Sequence, residues 1–109
     1  MSLHHLTRKK TKFLYFTRAE LSSILSAYSM RVASGEWRDY ALDHVETSAI
    51  FSIFKHAHEH PFMTIEKKRL KGQDKYQFIL QDKNKILFKS TRLSELVSYL
   101  HRLPRLIRG

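Results

Sequence analysis

Apolar residues recur at helical spacing in the first third of the chain and predict an amphipathic helix over Arg18–Ser34. Thr17 and Glu20 stand at its start and match a capping box, in which each side chain accepts a hydrogen bond from the other residue's amide. Gly35 follows the last apolar position and suits the left-handed conformation in which many helices end. The apolar stripe of this helix consists of Leu21, Ile24, Leu25, Tyr28 and Val32.

Beyond Gly35 the spacing of apolar residues changes from helical to alternating, which predicts strands. One of them has apolar residues on both faces, as expected of a strand with a neighbour on each side. The predicted elements are a short strand through Tyr40 and Leu42, a second over 49–58 ended by Pro61, a third over 62–68, and a turn over 70–74 that contains Gly72.

The clearest alternation lies in two segments, 75–81 and 85–89, which we predict to form a hairpin. A three-residue loop between them would put Asn84 at the left-handed position that such loops require, a conformation that Asn tolerates. With this loop, the large apolar side chains of both segments share one face, which therefore points to the core. The predicted register pairs Leu80 with Ile86, and Phe78 with Phe88.

The opposite face of the hairpin is predicted to be open to solvent. It carries lysines and glutamines, and its large apolar side chains are Ile79 and Leu87. Sheets that bind single-stranded nucleic acid have aromatic side chains among the lysines of the open face. This face has none, so it suits phosphate contacts without base stacking.

A second amphipathic helix follows, with Ser90 or Thr91 as its N-terminal cap and Pro104 as its end. Neither helix has another apolar surface to bury against, so we expect both to pack on one face of the sheet. The predicted fold class is α+β, with an N-terminal helix, an antiparallel meander of four or five strands, and a C-terminal helix. The stripe of the second helix consists of Leu93, Leu96, Val97, Leu100 and Leu103.

The length of 109 residues fits one domain, which we expect to span 13–104. Residues 1–12 are polar and basic and are predicted to be a flexible arm, and 105–109 form a basic tail. The apolar residues 13–16 lead into the first helix as an edge strand or as a hydrophobic staple.

Composition excludes several classes of protein. The chain has no cysteine, which excludes disulfides, thiolate nucleophiles and cysteine-ligated metal sites. Its longest apolar run is four residues, too short for a membrane helix or the core of a signal peptide. The three glycines form no phosphate-binding loop, and no nucleophile, histidine and carboxylate stand in a catalytic pattern. We therefore expect a soluble cytoplasmic protein that is not an enzyme and holds no cofactor.

The positive charge of the chain is unevenly distributed. The net charge is +10, with +5 on residues 1–18, −4 on 19–66 and +9 on 67–109. Such basic ends attract polyanions, either nucleic acid or an acidic protein surface, although a merely solvated surface is the alternative. The predicted basic patch consists of Lys67, Lys68, Arg69, Lys71, Lys75, Lys85, Lys89, Arg102 and Arg105.

A second candidate binding site follows the first helix directly. Trp37, Arg38, Asp39 and Tyr40 are adjacent, and Trp, Tyr and Arg are the residue types enriched in binding hot spots. The alternative is that the two aromatic side chains cover the edge of the core, which is the commoner use of such residues.

The same segment carries a resemblance to a known family. The run Gly-Glu-Trp-Arg-Asp-Tyr at 35–40, with the segments 41–43, 49–55 and 65–67, resembles a group of small bacterial proteins described as a domain of unknown function. The resemblance extends from Phe13 to the second helix. It implies a compact single-domain cytosolic protein, and it implies no activity, ligand or catalytic residue.

Three alternating histidines, His56, His58 and His60, would share one face of a strand. Imidazoles at this spacing can bind zinc or copper, with Glu59 or His44 as a further ligand. However, they lie at the end of a strand just before a proline, and the sequence identifies no residues that would orient them. They are therefore weak candidates, and we predict no metal site.

These patterns favour a non-enzymatic protein-interaction or regulatory module. Exposed Ile79 and Leu87, flanked by lysines, suit an acidic protein partner or a second copy of the chain. The alternative is a nucleic-acid-binding protein of low sequence specificity that contacts the phosphate backbone. No membrane partner is expected.

Overall fold

A computed structural model of the chain describes residues 13–56, 60–72 and 75–103. The predicted arm, 1–12, and tail, 105–109, lie outside the described residues. Neither of the two described helices is long and apolar enough to span a membrane. The elements are α1 (Arg18–Ala33), β1 (Asp39–His44), β2 (Ser48–Phe54), β3 (Met63–Arg69), β4 (Tyr76–Asp82), β5 (Lys85–Ser90) and α2 (Leu93–Arg102).

Helix α1 begins as the sequence predicts. The Thr17 amide donates to the Glu20 carboxylate at 2.8 Å, and the Glu20 amide donates to the Thr17 hydroxyl at 3.1 Å, so the capping box is confirmed. Past the end of the helix, Gly35 has a φ of +83°, which a residue with a β-carbon adopts only with strain. The predicted stripe is wrong at one position, because Val32 is exposed and its neighbour Arg31 is buried.

The five strands form one antiparallel sheet in chain order, so the predicted meander is confirmed and has five strands. Strand β2 pairs with β1 and β3 and buries side chains on both faces, as predicted. It ends at Phe54 rather than His58, which lies outside the described residues. The segment 13–16 is not a strand, although the Leu14 amide donates to the Val45 carbonyl at 3.2 Å.

The hairpin of β4 and β5 is confirmed, but its predicted loop is wrong. Asp82 pairs with Lys85, so the loop has two residues rather than three. Its left-handed residue is Lys83, with a φ of 57°, rather than Asn84. The shorter loop moves every pair of the hairpin away from the predicted register.

A β-bulge changes the register again along the same hairpin. The ladder shifts between Leu80 and Gln81, which makes Leu87 an extra residue on β5. The predicted pairs are therefore wrong. The observed pairs are Leu80 with Phe88, Gln81 with Ile86, and Phe78 with Ser90.

The bulge also changes which side chains of the hairpin are exposed. Leu87 packs against the core, and Ile86, predicted to lie inward, is 49% exposed. Ile79 is only 7% exposed, since it lies between its cross-strand neighbours Glu66 and Lys89, whose aliphatic stems can cover an apolar side chain. The prediction that Ile79 and Leu87 form an exposed apolar pair is wrong.

One hydrophobic core joins both helices to the sheet. The Tyr28 ring of α1 lies 5.8 Å from the Phe51 ring of β2, and α2 contacts β4 and β5. Phe78 and Leu80 are buried, as predicted. The helices contribute Ile24, Ala27 and Tyr28 from α1, and Leu93, Leu96 and Leu100 from α2.

The start of α2 differs from the prediction in its cap. The cap position is Arg92, whose side chain makes no capping hydrogen bond, rather than Ser90 or Thr91. The Ser90 hydroxyl instead accepts from the Arg92 amide at 3.0 Å and donates to the Glu95 carboxylate. Ser90 therefore fixes the turn that precedes the helix.

Candidate functional site

The segment 37–40 packs against the domain, which favours the core-covering alternative over a binding site. Trp37 is 3% exposed, and its ring centre lies 6.0 Å from that of Tyr28. Tyr40 keeps 39% of its surface exposed but stacks on the Phe51 ring at 4.9 Å. The other two residues of the segment, Arg38 and Asp39, are exposed.

Arg31 joins the end of α1 to the end of α2. Its Nη1 donates to the Glu36 carboxylate at 2.7 Å, and its Nη2 donates to the carbonyls of Leu100 and Leu103 at 2.7 and 2.9 Å. The guanidinium also lies 5.5 Å from the centre of the Trp37 ring. The residues from Gly35 to Trp37 therefore have a structural role, because the turn after α1 brings an acid and an indole to a buried arginine.

Lys67 belongs to the interior and not to the surface, which contradicts its predicted place in the basic patch. It is 2% exposed. Its Nζ donates to the Glu20 carboxylate at 2.8 Å and to the Tyr15 carbonyl at 2.9 Å, and lies 4.5 Å from the centre of the Tyr76 ring. This lysine holds the start of α1 against β3.

A groove with three basic residues in its lining lies at the end of the sheet where β3 turns towards β4. Its volume is about 630 Å³. None of the described residues that line it is acidic. The lining residues are Thr47, Lys68, Arg69, Leu70, Lys71, Gly72 and Gln77.

The basic side chains of this groove are accessible, and one of them is held in position. Lys68, Arg69 and Lys71 are exposed. The Arg69 guanidinium lies 5.3 Å from the centre of the Tyr76 ring, and its Nη1 is 3.4 Å from the Tyr76 hydroxyl. The exposed Lys75 is adjacent, since its carbonyl accepts from the Leu70 amide at 2.9 Å. Four predicted members of the basic patch are therefore brought together here.

Two carboxylates of the described chain lie near the groove. Glu66 is engaged by the Ser48 hydroxyl, which donates to it at 2.6 Å. Glu46 is exposed in the turn just before Thr47. Among the described residues, the four exposed cations therefore outnumber these two carboxylates, whereas Asp74, which precedes Lys75 in the chain, lies outside the described residues.

The remaining members of the predicted basic patch are not part of this groove. Lys85 lies at the opposite end of the sheet, beside the loop between β4 and β5, and Lys89 lies further along β5. Arg102 is exposed at the end of α2, and Arg105 lies outside the described residues. The patch is therefore several separate surfaces, of which the groove is the most concentrated.

The histidines that the sequence singled out do not form a metal site in the described part of the chain. His56 and His60 are exposed and line a cavity of about 310 Å³ together with Lys55 and Asp82. His58 and Glu59 lie outside the described residues. Among the residues that the structure describes, no three potential ligands lie close enough to hold a metal ion.

The packing around Tyr28 predicts a pH dependence of stability. Burial raises the pKa of its hydroxyl above the usual 10.0, and the charges of Asp39 and Tyr40 raise it further. Since the unfolded chain loses this proton at lower pH, the free energy of unfolding should hold below pH 10 and fall as pH rises through the pKa of the folded state. Urea unfolding between about pH 9 and 11 should show a smaller fall in Tyr28→Phe than in the natural chain. Identical slopes in both proteins would contradict this prediction.

Sequence reasoning missed the roles of Arg31 and Lys67 and also several residues around the groove. Thr47 and Gln77 line it but carry no signal beyond their polarity. Phe13 and Tyr15, which precede α1, are 47% and 54% exposed. Since all four residues of 13–16 are apolar, no alternation in the sequence distinguishes the outward Phe13 and Tyr15 from the buried Leu14 and Phe16.

Comparison with known proteins gives one match. No curated protein and no solved structure matches the chain. A family model described as a protein of unknown function, DUF2794, matches residues 14–97, which is more than half of the chain. The match agrees with the resemblance to a family of unknown function. That the run at 35–40 is characteristic of this family remains a prediction. The chain therefore belongs to the DUF2794 family of proteins of unknown function.

Proposed function

We propose that this protein is a non-enzymatic binding module whose basic groove contacts the phosphate backbone of nucleic acid. The observation that carries the proposal is the concentration of Lys68, Arg69, Lys71 and Lys75 at one end of the sheet, around an open groove of about 630 Å³. Exposed cations on a concave surface raise the local concentration of a polyanion and bind it with little dependence on base sequence.

This proposal reverses the preference for a protein-interaction module. That preference depended on the lack of stacking aromatic residues on the open face. The surface it offered to a protein partner was an exposed apolar pair, Ile79 and Leu87, and the first of these is 7% exposed while the second packs against the core. The other candidate surface depended on Trp37, which is 3% exposed. Because these apolar residues are buried, an acidic protein partner would have to bind the same basic groove. Binding of such a protein is therefore one outcome of the test.

We also infer that both helices pack on one face of the sheet and leave the other face accessible. The inference is supported by the contact of Tyr28 with Phe51, by the ion pair of Glu20 with Lys67, and by the contacts of α2 with β4 and β5. In this arrangement Lys68 and Gln77, which pair across β3 and β4, face away from the helices, whereas Arg69 pairs with Tyr76 on the helix side. The ligand therefore contacts the end of the sheet, where both faces are accessible.

The test is binding of a fluorescently labelled oligonucleotide, measured by anisotropy over a range of salt concentrations. The variant Lys68→Ala/Arg69→Ala/Lys71→Ala should bind more weakly than the natural chain at about 50 mM salt, and its dependence of log affinity on log salt should be flatter by about 2 units. Each lost phosphate contact accounts for about 0.7 units with single strands. Lys67 is left unchanged because it supports the fold.

A matched control removes the same charge elsewhere. Arg38→Ala/Lys83→Ala/Lys85→Ala changes three exposed cations at the opposite end of the sheet and should keep the natural salt slope. Glu46→Gln should bind more tightly, because it removes the exposed carboxylate next to Thr47. Equal weakening by the two triple variants would show that only net charge matters, and would overturn the groove. Absence of binding by the natural chain, together with capture of an acidic protein through Lys68, would favour the protein partner.

A further inference from the structure

Two exposed aromatic side chains stand beside the basic groove, on the segment that leads into α1. Phe13 is 47% exposed and Tyr15 is 54% exposed, whereas Leu14 and Phe16 between and after them point into the domain. The Tyr15 ring also contacts the His44 ring of β1, with 4.5 Å between the centres and an angle of 42° between the planes. Tyr15 therefore packs against His44 and still keeps 54% of its surface exposed, and large exposed rings are characteristic of binding surfaces.

The backbone that carries these rings is fixed at two points. The Leu14 amide donates to the Val45 carbonyl at 3.2 Å, and the Tyr15 carbonyl accepts from Lys67 Nζ at 2.9 Å. Lys67 is itself held by Glu20 in the first turn of α1. A ring on an anchored segment loses little conformational freedom when a ligand stacks on it, which favours binding.

The rings and the groove belong to the same end of the sheet. Val45, which contacts Leu14, donates through its amide to the Ser48 carbonyl at 2.9 Å, and Ser48 pairs with Lys68 of the groove. Thr47 lies between these two residues and lines the groove itself. The segment that carries the rings therefore lies at the end of the sheet that holds the groove. The Tyr15 ring is on the face of Lys67 and Arg69, because His44 pairs with Ala49 and Ala49 pairs with Lys67, whereas Lys68 points to the other face. The basic residues of 8–12 directly precede Phe13 in the chain.

We propose that the ligand is single-stranded nucleic acid, with a base stacked on Tyr15 while the adjoining phosphates contact Arg69 and Lys71. The proposal rests on the proposed function and adds the class of nucleic acid to it. Proteins that bind single strands without sequence preference combine a basic groove with aromatic rings, because every base has a π-face. A duplex keeps its bases stacked on each other and offers Tyr15 none.

The experiment compares two probes that carry the same phosphates, a labelled thymidine strand of about 20 nucleotides and an abasic strand of equal length. The natural chain should bind the thymidine strand more tightly than the abasic strand or a duplex. Tyr15→Ala should weaken binding of the thymidine strand about tenfold and leave binding of the abasic strand unchanged. Tyr15→Phe keeps the ring and should retain the natural affinity. Met30→Ala, which removes a side chain 60% exposed on α1, is the control and should have no effect.

The outcomes separate this inference from the proposed function. Equal affinity for the thymidine and abasic strands, together with no effect of Tyr15→Ala, would overturn base stacking and leave phosphate binding intact. Binding to neither strand would overturn both. If Tyr15→Ala weakens binding of both probes, circular dichroism of the variant decides between two explanations. A changed spectrum means that the substitution damages the fold. An unchanged spectrum means that Tyr15 contacts the nucleic-acid backbone, and the stacking proposal is then wrong. Preference for the duplex would likewise contradict it.

Discussion

Arg31→Met is expected to lower the free energy of unfolding by about 3–5 kcal/mol, the usual result of removing one partner from a buried ion pair. Methionine can fill the space of the aliphatic stem, but it offers no donor. The Glu36 carboxylate would lose the partner at 2.7 Å, and the carbonyls of Leu100 and Leu103 would lose theirs at the end of α2. The side chains of the pair are only 10% and 14% exposed, so water replaces these bonds poorly.

Urea denaturation followed by circular dichroism measures this loss. Arg38→Met is the matched control, because Arg38 is exposed just before β1, and the unfolding free energy of this variant should change by less than about 0.5 kcal/mol. Arg31→Lys should recover only part of the stability, since one ammonium cannot serve a carboxylate and two carbonyls in the geometry of a guanidinium. A loss in Arg31→Met no larger than in Arg38→Met would show that the contact between α1 and α2 does not depend on this side chain.

Glu20→Gln is expected to cost about 3 kcal/mol of unfolding free energy. Glutamine can still accept from the Thr17 amide, so the capping box survives and the substitution removes only charge. The Lys67 ammonium, 2% exposed, would then have carbonyl groups and the Tyr76 ring as its partners but no carboxylate. An uncompensated buried charge is more costly than a lost hydrogen bond between neutral groups.

The second substitution Lys67→Met tests that explanation. Added to Glu20→Gln it removes the buried charge, and the double variant should be more stable than Glu20→Gln alone, because a buried ion pair can be replaced by apolar groups at little cost. Lys68→Met serves as the control at the next position of β3, where the side chain is exposed and stability should hardly change. A double variant less stable than either single variant would mean that charge burial is not what makes Glu20→Gln costly.

Local signals in the sequence were sufficient for the helices and for the order of the strands. The capping box at Thr17 and Glu20, the glycine after α1 and the stripe of α2 each depend on residues close in the chain, so they could be predicted. The register of the last hairpin could not. Its two-residue loop and the bulge at Leu87 depend on how β5 meets α2 and the core, which alternation alone does not report.

The candidate site was harder to predict because identical residue types have opposite roles. Lys67 and Lys68 are neighbours, yet the alternation of β3 directs one to Glu20 and the other to solvent. The partner that makes Lys67 structural is 47 residues away. Likewise, the residue type of Trp37 suited both a binding site and the edge of the core, and its burial against Tyr28 and Arg31 favours the second. Only the fold distinguishes a cation that binds a ligand from one that holds two elements together.

The open sheet has two edges, and their charges oppose sheet-to-sheet aggregation. If two copies of β1 paired antiparallel about Ala41, Asp39 of each would stand opposite Asp43 of the other, and like charges at that distance repel. The other edge, β5, carries exposed Lys85 and Lys89, and lysine is a residue type that commonly prevents an edge strand from pairing with another chain. The acidic residues of β1, in an otherwise basic chain, thus disfavour pairing of this strand with the same strand of another copy.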